Sequence, residues 1–505
     1  MSTQTTTPCG DGAAPYFGDA HVVLPEKKVV LLIKPYQETD YMVHSPPLGL
    51  LYLASGLRKK FGDKIEVHVV DMKLRLMAPQ RVTELLRRYQ PHVVGLSALN
   101  FEMASSRIAA DITKRFGPSI LTVLGGPLAL HRSEELLGKT RFDWVLSGAA
   151  DRSFPEALAR YFLGRDLGRD LPGLAYRAND GSYVASDRED HLQDLNAIEM
   201  PAWDLVDFDA YAKVTAFAML KGKRYATLFT SRGCPYRCSY CHDIFGKRFL
   251  ARDVDSVIAE IELLYETHGV DDFQIVDDVF NLHKPRLKAI MAEVHRRWPG
   301  KLHFSFPNGL RGDILDDGTL DALRLAGTWL MSVAVETVTP RLQELIEKHL
   351  DLEKTSKAIN AADDRGIVVG GFFMLGFPTE SVEEMKVTID WALRSKLSYA
   401  SFFTVTPQPG TPLYLLAEKE NAEALHRLDE AEEQGAAGSY NAVSWYERAY
   451  GYPLDRLRRS ATVRFYTNPV RAYKLIRAMP FRSFVISLKR FLQVMTPGRR
   501  TEEDG

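Results

Sequence analysis

Three of the four cysteines in this chain of 505 residues fall within eight positions. They are Cys234, Cys238 and Cys241, in the run Ser-Arg-Gly-Cys-Pro-Tyr-Arg-Cys-Ser-Tyr-Cys. The spacing C-x3-C-x2-C puts three thiolates on one tight loop. Three thiolates can hold three irons of a cubic iron–sulfur cluster and leave the fourth iron without a protein ligand. That open corner is a chemical resource, because a small chelating molecule can bind the iron and accept an electron from it. A structural zinc site would need a fourth ligand. His242 is adjacent to Cys241, where joint ligation is awkward, and no second C-x2-C pair exists. Inert cysteines would be scattered among apolar residues, whereas these sit among Arg, Gly, Pro, Ser and Tyr.

The spacing, with an aromatic residue (Tyr240) before the last cysteine, resembles the signature of the radical S-adenosylmethionine (SAM) superfamily. The resemblance implies a 4Fe-4S cluster on Cys234, Cys238 and Cys241. It also implies SAM bound to the open iron through its amino and carboxylate groups. One-electron reduction, supplied by flavodoxin or ferredoxin, would then cleave SAM to a 5′-deoxyadenosyl radical. Tyr240 is expected to pack against the cluster and present backbone to adenine. His242 has no partner readable from sequence.

Other residues resemble the SAM-binding positions of that family. Asp277 and Asp278, in the run Asp-Asp-Val-Phe, would offer a carboxylate to the SAM amino group, with no choice made between them; helix capping or solvent exposure is the plain alternative. Glu336, after an apolar strand, matches a position that contacts ribose or the amino acid. Arg311 would pair with the SAM carboxylate through its two-pronged guanidinium. The runs GFFMLGFPTE (371–380) and TPQPGTPLY (406–414) resemble the family's later strands, although strand packing and turn formation also account for them.

The elements that must position these residues come in two series. Between residues 27 and 160, β-branched runs alternate with amphipathic stretches: strands at 28–33, 65–71, 92–96, 120–124 and 144–147, helices at 48–61, 82–89, 103–116 and 134–137, and another from about residue 153. This alternation predicts a Rossmann-like, doubly wound parallel sheet. Ligands of such sheets bind outside the carboxyl ends of the strands, which here carry Ser97, Gly125, Gly126 and Gly148. Between residues 225 and 418 a second series of six strands with intervening helices predicts a partial (β/α)6 TIM-type barrel, whose active groups sit at the strand carboxyl ends.

Residues 28–160, followed by a cluster-binding domain, resemble the cobalamin (B12) domain that precedes many radical SAM domains. GGPLALHRSEELL resembles its segment after the fourth strand, and 143–154 the next strand and loop; 171–177 and 200–211 resemble the linker. Ser97, Gly125, Gly126 and Gly148 are the expected cofactor-binding positions. Two departures stand out. Many cobalamin domains carry D-x-H-x-x-G with a cobalt-ligating histidine, whereas the strand here ends Asp71-Met72-Lys73. The loop Gly148-Ala149-Ala150-Asp151 is a weakened form of the family's G-E-G-E. Both retention and loss of cobalamin stay open on this reading.

The expected organisation is a disordered tail (1–26), a cobalamin-binding-like domain (27–165), a linker (166–220), a radical SAM core (221–420) and a C-terminal helical extension (421–505). A net charge of −1 excludes a general attraction to nucleic acid. Residues 1–20 lack the basic start and apolar core of a signal peptide, and few cysteines, three needed reduced, point to the cytoplasm. Cys9 reads as an incidental thiol. Residues 456–500 hold twelve Lys or Arg and no Asp or Glu, interleaved with aromatics. That pattern suits a helical cap first, then a peripheral membrane contact or lipid-like substrate, and last nucleic acid. The combined expectation is a cobalamin-dependent radical SAM C-methyltransferase acting on an unactivated carbon of a small-molecule or lipid-like substrate. A radical cyclase or oxidoreductase on the same plan is the alternative, and a sensor without turnover a more distant one. No catalytic side chain is assigned.

Overall fold

The computed structural model describes residues 21–36, 43–178, 180–186, 194–214, 216–241, 244–433 and 444–478. Most of the expected tail, Cys9, His242 and residues 479–500 of the basic segment lie outside the described residues.

The first series forms β1 (Lys28–Lys34), α1 (Leu48–Phe61), β2 (Ile65–Asp71), α2 (Val82–Tyr89), β3 (Val93–Ser97), α3 (Met103–Phe116), β4 (Leu121–Gly125), α4 (Ser133–Lys139), β5 (Trp144–Leu146) and α5 (Ser153–Phe162). β1 to β5 are parallel, in the order β2-β1-β3-β4-β5. Helices cover both faces, so successive strand residues are buried on opposite sides. Leu31, Ile33, Leu96 and Leu124 enter one core, and Val30, Leu32, Val93 and Val123 the other.

The expected linker departs from a plain connection. Within it, β6 (Leu174–Arg177) and β7 (Tyr183–Ala185) extend the same sheet, both pairings antiparallel. β7 follows β6 through a short turn with no helix between them, which allows only an antiparallel return. α5 lies between β5 and β6, and β6 nevertheless runs back against β5. The run after them, with α6 (Phe208–Tyr211), straps the two domains together. Trp203 Nε1 donates to Glu260 of the barrel at 2.8 Å, and Tyr211 donates to Asp71 of the sheet at 2.7 Å.

The second series runs β8 (Tyr225–Leu228), β9 (Ser231–Arg232), β10 (Leu250–Ala251), α7 (Val254–His268), β11 (Asp272–Ile275), α8 (Lys284–Arg297), β12 (His303–Leu310), α9 (Asp317–Leu325), β13 (Thr328–Glu336), α10 (Pro340–Leu345), α11 (Leu352–Asp364), β14 (Val368–Leu375), α12 (Val382–Arg394), β15 (Tyr399–Thr404) and α13 (Pro412–Glu433). Six strands make one parallel sheet in the order β15-β14-β13-β12-β11-β8. Each strand lies beside the next in sequence, the winding of a (β/α) barrel, and the end strands β8 and β15 are not paired with each other.

After α14 (Trp445–Tyr450), α15 (Leu454–Tyr466) and α16 (Pro469–Ala478) dock on the barrel's β15 edge. Phe465 is fully buried, Tyr466 bonds the Ala400 backbone, and Arg471 donates to the carbonyls of Leu393 (2.6 Å) and Ser395 (2.8 Å). Through residue 478 this segment is therefore a helical cap. Among the described residues no helix is long and apolar enough to cross a membrane.

Candidate active site

The cysteine loop is an excursion from the carboxyl end of β8, closed at its base by the two-residue ribbon of β9 and β10. Its entry is fastened from β11. The Asp277 carboxylate accepts the Thr230 N–H, the Thr230 hydroxyl and the Ser231 hydroxyl, each at 2.6 Å. Gly233 follows with φ +83°, and a methyl there would stand 2.1 Å from the Arg248 carbonyl oxygen, so only glycine fits. Further along, Cys234 N–H reaches Gly246 O at 3.3 Å and Ser239 N–H reaches Ile346 O at 2.9 Å. Ser239 O in turn accepts the N–H of Leu413 at 2.9 Å. The segment after β11, the end of α10 and the start of α13 thus hold one irregular loop.

Cys234 and Cys238 are half-buried while Cys241 reaches the surface. The protein packed around the loop still desolvates the thiols of Cys234 and Cys241 in part and pushes both up. Cys238 adds to the rise at both, and Cys234 to that at Cys241, so the three thiols feel one another. Among the described residues no three His, Cys, Asp or Glu side chains converge as ligands of a single ion would. A cubane takes one thiolate per iron, so its ligands stand further apart than those of one zinc. Donor type and loop placement fit three corners of a cluster, whose positive irons would stabilise the thiolates that burial disfavours.

The expected SAM residues divide. Asp277 is buried with both oxygens committed to the cysteine loop, whereas Asp278 is exposed and takes the Gly233 N–H at 2.8 Å. Arg311 stacks 3.8 Å over the Tyr236 ring and donates to Asp313 and to the carbonyls of Lys348 and His349. Its fork therefore braces the cysteine loop. Glu336 ends β13 in the left-handed region at φ +64° and is buried. Lys348, missed in the sequence, reaches Glu336 Oε1 at 3.1 Å and the Tyr240 hydroxyl at 3.0 Å, and Tyr240 donates to Glu336 at 3.3 Å. Burial, Glu336 and the neighbouring thiols hold the Tyr240 hydroxyl well above its usual range, so it stays protonated as a donor. The only sequence sign of Lys348 is its place just beyond the helix that follows Glu336.

On the N-terminal sheet, Gly126 (φ +86°) lies where a methyl would meet Ala98 N and O at 2.8 Å and Ser97 Oγ at 2.9 Å. The loops after β3 and β4 are thereby laced together, with Ala98 N–H on Gly125 O at 3.0 Å. Gly148 (φ +74°) presents its backbone to the other domain, and a methyl there would stand 3.7 Å from Ile244 O. The same carboxyl edge holds a charged group in which Asp71, Lys73 and Glu102 are buried and Lys34 is half-buried. Burial pushes Glu102 up to about 7; its Oε2 takes the Leu99 N–H, and its Oε1 has no partner among the described residues. An uncommitted buried acceptor and open glycine backbone fit a polar ligand on this edge.

Residues 228–392 match the family model of the radical SAM superfamily, and residues 41–158 that of the B12 binding domain. An uncharacterised methyltransferase of Pyrococcus horikoshii is 28% identical over 400 residues, 78% of this chain and 84% of the relative. The cytidylyl-2-hydroxyethylphosphonate methyltransferase of Streptomyces wedmorensis is 28% identical over 421 residues, 73% of this chain and 77% of that protein. Among solved structures, the radical SAM methyltransferase TsrM of Kitasatospora setae, with cobalamin and a 4Fe-4S cluster bound, superposes with a TM-score of 0.62 at 20% identity, covering 78% of each chain. At that identity the likeness is one of fold.

Proposed function

We propose, from the premise that this chain joins a B12 binding domain to a radical SAM domain, that it is a cobalamin-dependent radical SAM enzyme. Its reaction is methylation of an unactivated carbon in a small-molecule or lipid-like substrate. Cys234, Cys238 and Cys241 would hold a 4Fe-4S cluster through three of its irons and leave the fourth open to SAM. When bound, the cluster supplies the electron that splits SAM, and cobalamin supplies the methyl group. Reducing equivalents come from a flavodoxin or ferredoxin.

The chain's own residues orient and enclose. Asp278 accepts from the SAM amino group. Lys348, buried beside Glu336 and Tyr240, and Arg311, whose hydrogen bonds to Asp313 and two carbonyls all leave from Nη2, are the cations for the SAM carboxylate. Tyr236, held under Arg311, steadies the cysteine loop between Cys234 and Cys238. Asp277 keeps the loop's entry fixed. Ser97, Gly125, Gly126 and Gly148 line the cobalamin edge.

One observation carries this reading: the carboxyl edge of the N-terminal sheet abuts the cysteine loop, at Gly148 against Ile244. Two ligands on facing edges would therefore meet over the cysteines. Anaerobic reconstitution with iron, sulfide and cobalamin, followed by SAM labelled in its methyl group, tests it. Bound corrinoid that acquires the label supports methylation. Iron with stoichiometric 5′-deoxyadenosine but no label on corrinoid or product returns the cyclase or oxidoreductase. No iron uptake defeats both.

A further inference from the structure

The two domains meet at an ion pair set two residues before the first cysteine. Arg232 donates from Nη1 to Asp151 Oδ2 at 2.7 Å and from Nη2 to Oδ1 at 3.1 Å. A fork on a carboxylate fixes orientation as well as distance. The side chains are only 7% and 10% exposed, so water neither screens nor replaces the contact. The guanidinium carbon lies 4.8 Å from the ring centre of Tyr52 on α1 and 4.9 Å from that of Phe245, on the far arm of the cysteine loop. One side chain therefore touches the N-terminal domain twice and its own loop once more.

Each end of the pair is itself held. Asp151 lies between β5 and α5, three residues after Gly148, and a methyl on Gly56 of α1 would stand 3.2 Å from its carbonyl oxygen. Arg232 is paired with Leu250 in the ribbon, between Ser231 on Asp277 and Gly233 on Asp278. Asn100 with Gln408 and Lys139 with Glu433 join the N-terminal domain to residues 408–433, and the Tyr225 hydroxyl, at the amino end of β8, donates to the His44 carbonyl at 2.7 Å. A buried ion pair is a costly way to glue surfaces, and its best-attested use is to fix register.

We propose that Arg232 and Asp151 form a latch that sets the cysteine loop by the loop after β5, so that a ligand on the carboxyl edge of the N-terminal sheet is felt at the cysteines. The inference rests on the two-cofactor reading above. Arg232 acts here as a positioning residue, working through Gly233 and Cys234.

Hydrogen–deuterium exchange on the full chain with its cluster reconstituted, with and without hydroxocobalamin, tests the latch. In the wild type, cobalamin slows exchange in residues 147–152 and, by about fivefold, in residues 231–241. In Asp151→Asn, which keeps the shape and removes the anion, protection at 147–152 persists and the response at 231–241 disappears, with iron and cobalamin contents unchanged. Arg232→Lys, which keeps the charge and loses the fork, behaves alike and serves if the first variant folds poorly. A 231–241 response that survives in both variants marks the pair as a structural contact and overturns the proposal. So does wild-type protection confined to 147–152. Failure of the wild type to take up cobalamin defeats the two-cofactor reading, and the latch with it.

Discussion

Replacing Asp277 separates the fastening of the cysteine loop from the binding of SAM. Its carboxylate serves three buried donors at 2.6 Å each, and Arg286 steadies the same segment through Thr230 O at 2.6 Å. Asp277→Ala orphans all three donors. At about 1–3 kcal/mol for each unsatisfied buried group, partly recovered by rotation of the two hydroxyls, the loss is about 3–5 kcal/mol. That is a large part of a typical folding free energy of about 5–15 kcal/mol. Asp277→Asn keeps one oxygen for the Thr230 N–H and lets a hydroxyl turn to accept from the amide, so it costs about 1–2 kcal/mol. Asp278→Asn, on an exposed residue, changes stability by less than about 0.5 kcal/mol. Urea unfolding, iron per chain after anaerobic reconstitution, and equilibrium dialysis of SAM are the three assays. Asp277→Asn is expected to lose stability and iron while SAM affinity per loaded cluster stays within about twofold. Asp278→Asn is expected to keep stability and iron and bind SAM about tenfold more weakly, about 1.4 kcal/mol. An Asp277→Asn protein with native stability and iron but tenfold weaker SAM binding would refute the reasoning.

Gly233→Ala forces a methyl into the Arg248 carbonyl at a position of φ +83°; its iron content after reconstitution should fall to a small fraction of wild type while circular dichroism is retained. Lys348→Met leaves Glu336 buried without its ammonium and should cost about 3–5 kcal/mol in urea unfolding. Burial pushes Glu380 up to about 8, although it accepts the N–H groups of Gly376 and Phe377. The unfolded chain ionises this group near its ordinary value of 4.5 and the folded chain only near 8, so its burial costs nothing below 4.5 and stability falls as pH rises towards 8. Glu380→Gln should therefore gain a few kcal/mol over wild type at pH 9 and nothing at pH 4; a gap independent of pH would contradict the assignment.

Much of this architecture is written in local pattern. The helices at 48–61, 82–89, 103–116 and 254–268 end where apolar periodicity ends, and both parallel series follow from alternation. The strands at 174–177 and 183–185 were not legible as sheet, because runs of four and three residues carry too few side chains to show a period of two. The cysteines declare themselves through spacing. Their supports do not, since each partner is distant in sequence: Asp277 from Thr230, Asp151 from Arg232, Lys348 from Tyr240. Adjacent aspartates look equivalent in a string, and only the strand's exit direction buries Asp277 and exposes Asp278. Arg311 has contacts that no spacing shows: its Nη2 donates to Asp313 and two carbonyls, and its guanidinium lies over a tyrosine ring.

The account turns on an iron corner that lacks a protein ligand and meets SAM at the mouth of the barrel. Mass spectrometry of 5′-deoxyadenosine, after anaerobic reduction of the reconstituted chain with SAM, tests this most directly. Wild type should form it, and the variant with Cys234, Cys238 and Cys241 all changed to serine should form none. A fully iron-loaded, reduced wild type that leaves SAM intact would contradict the account.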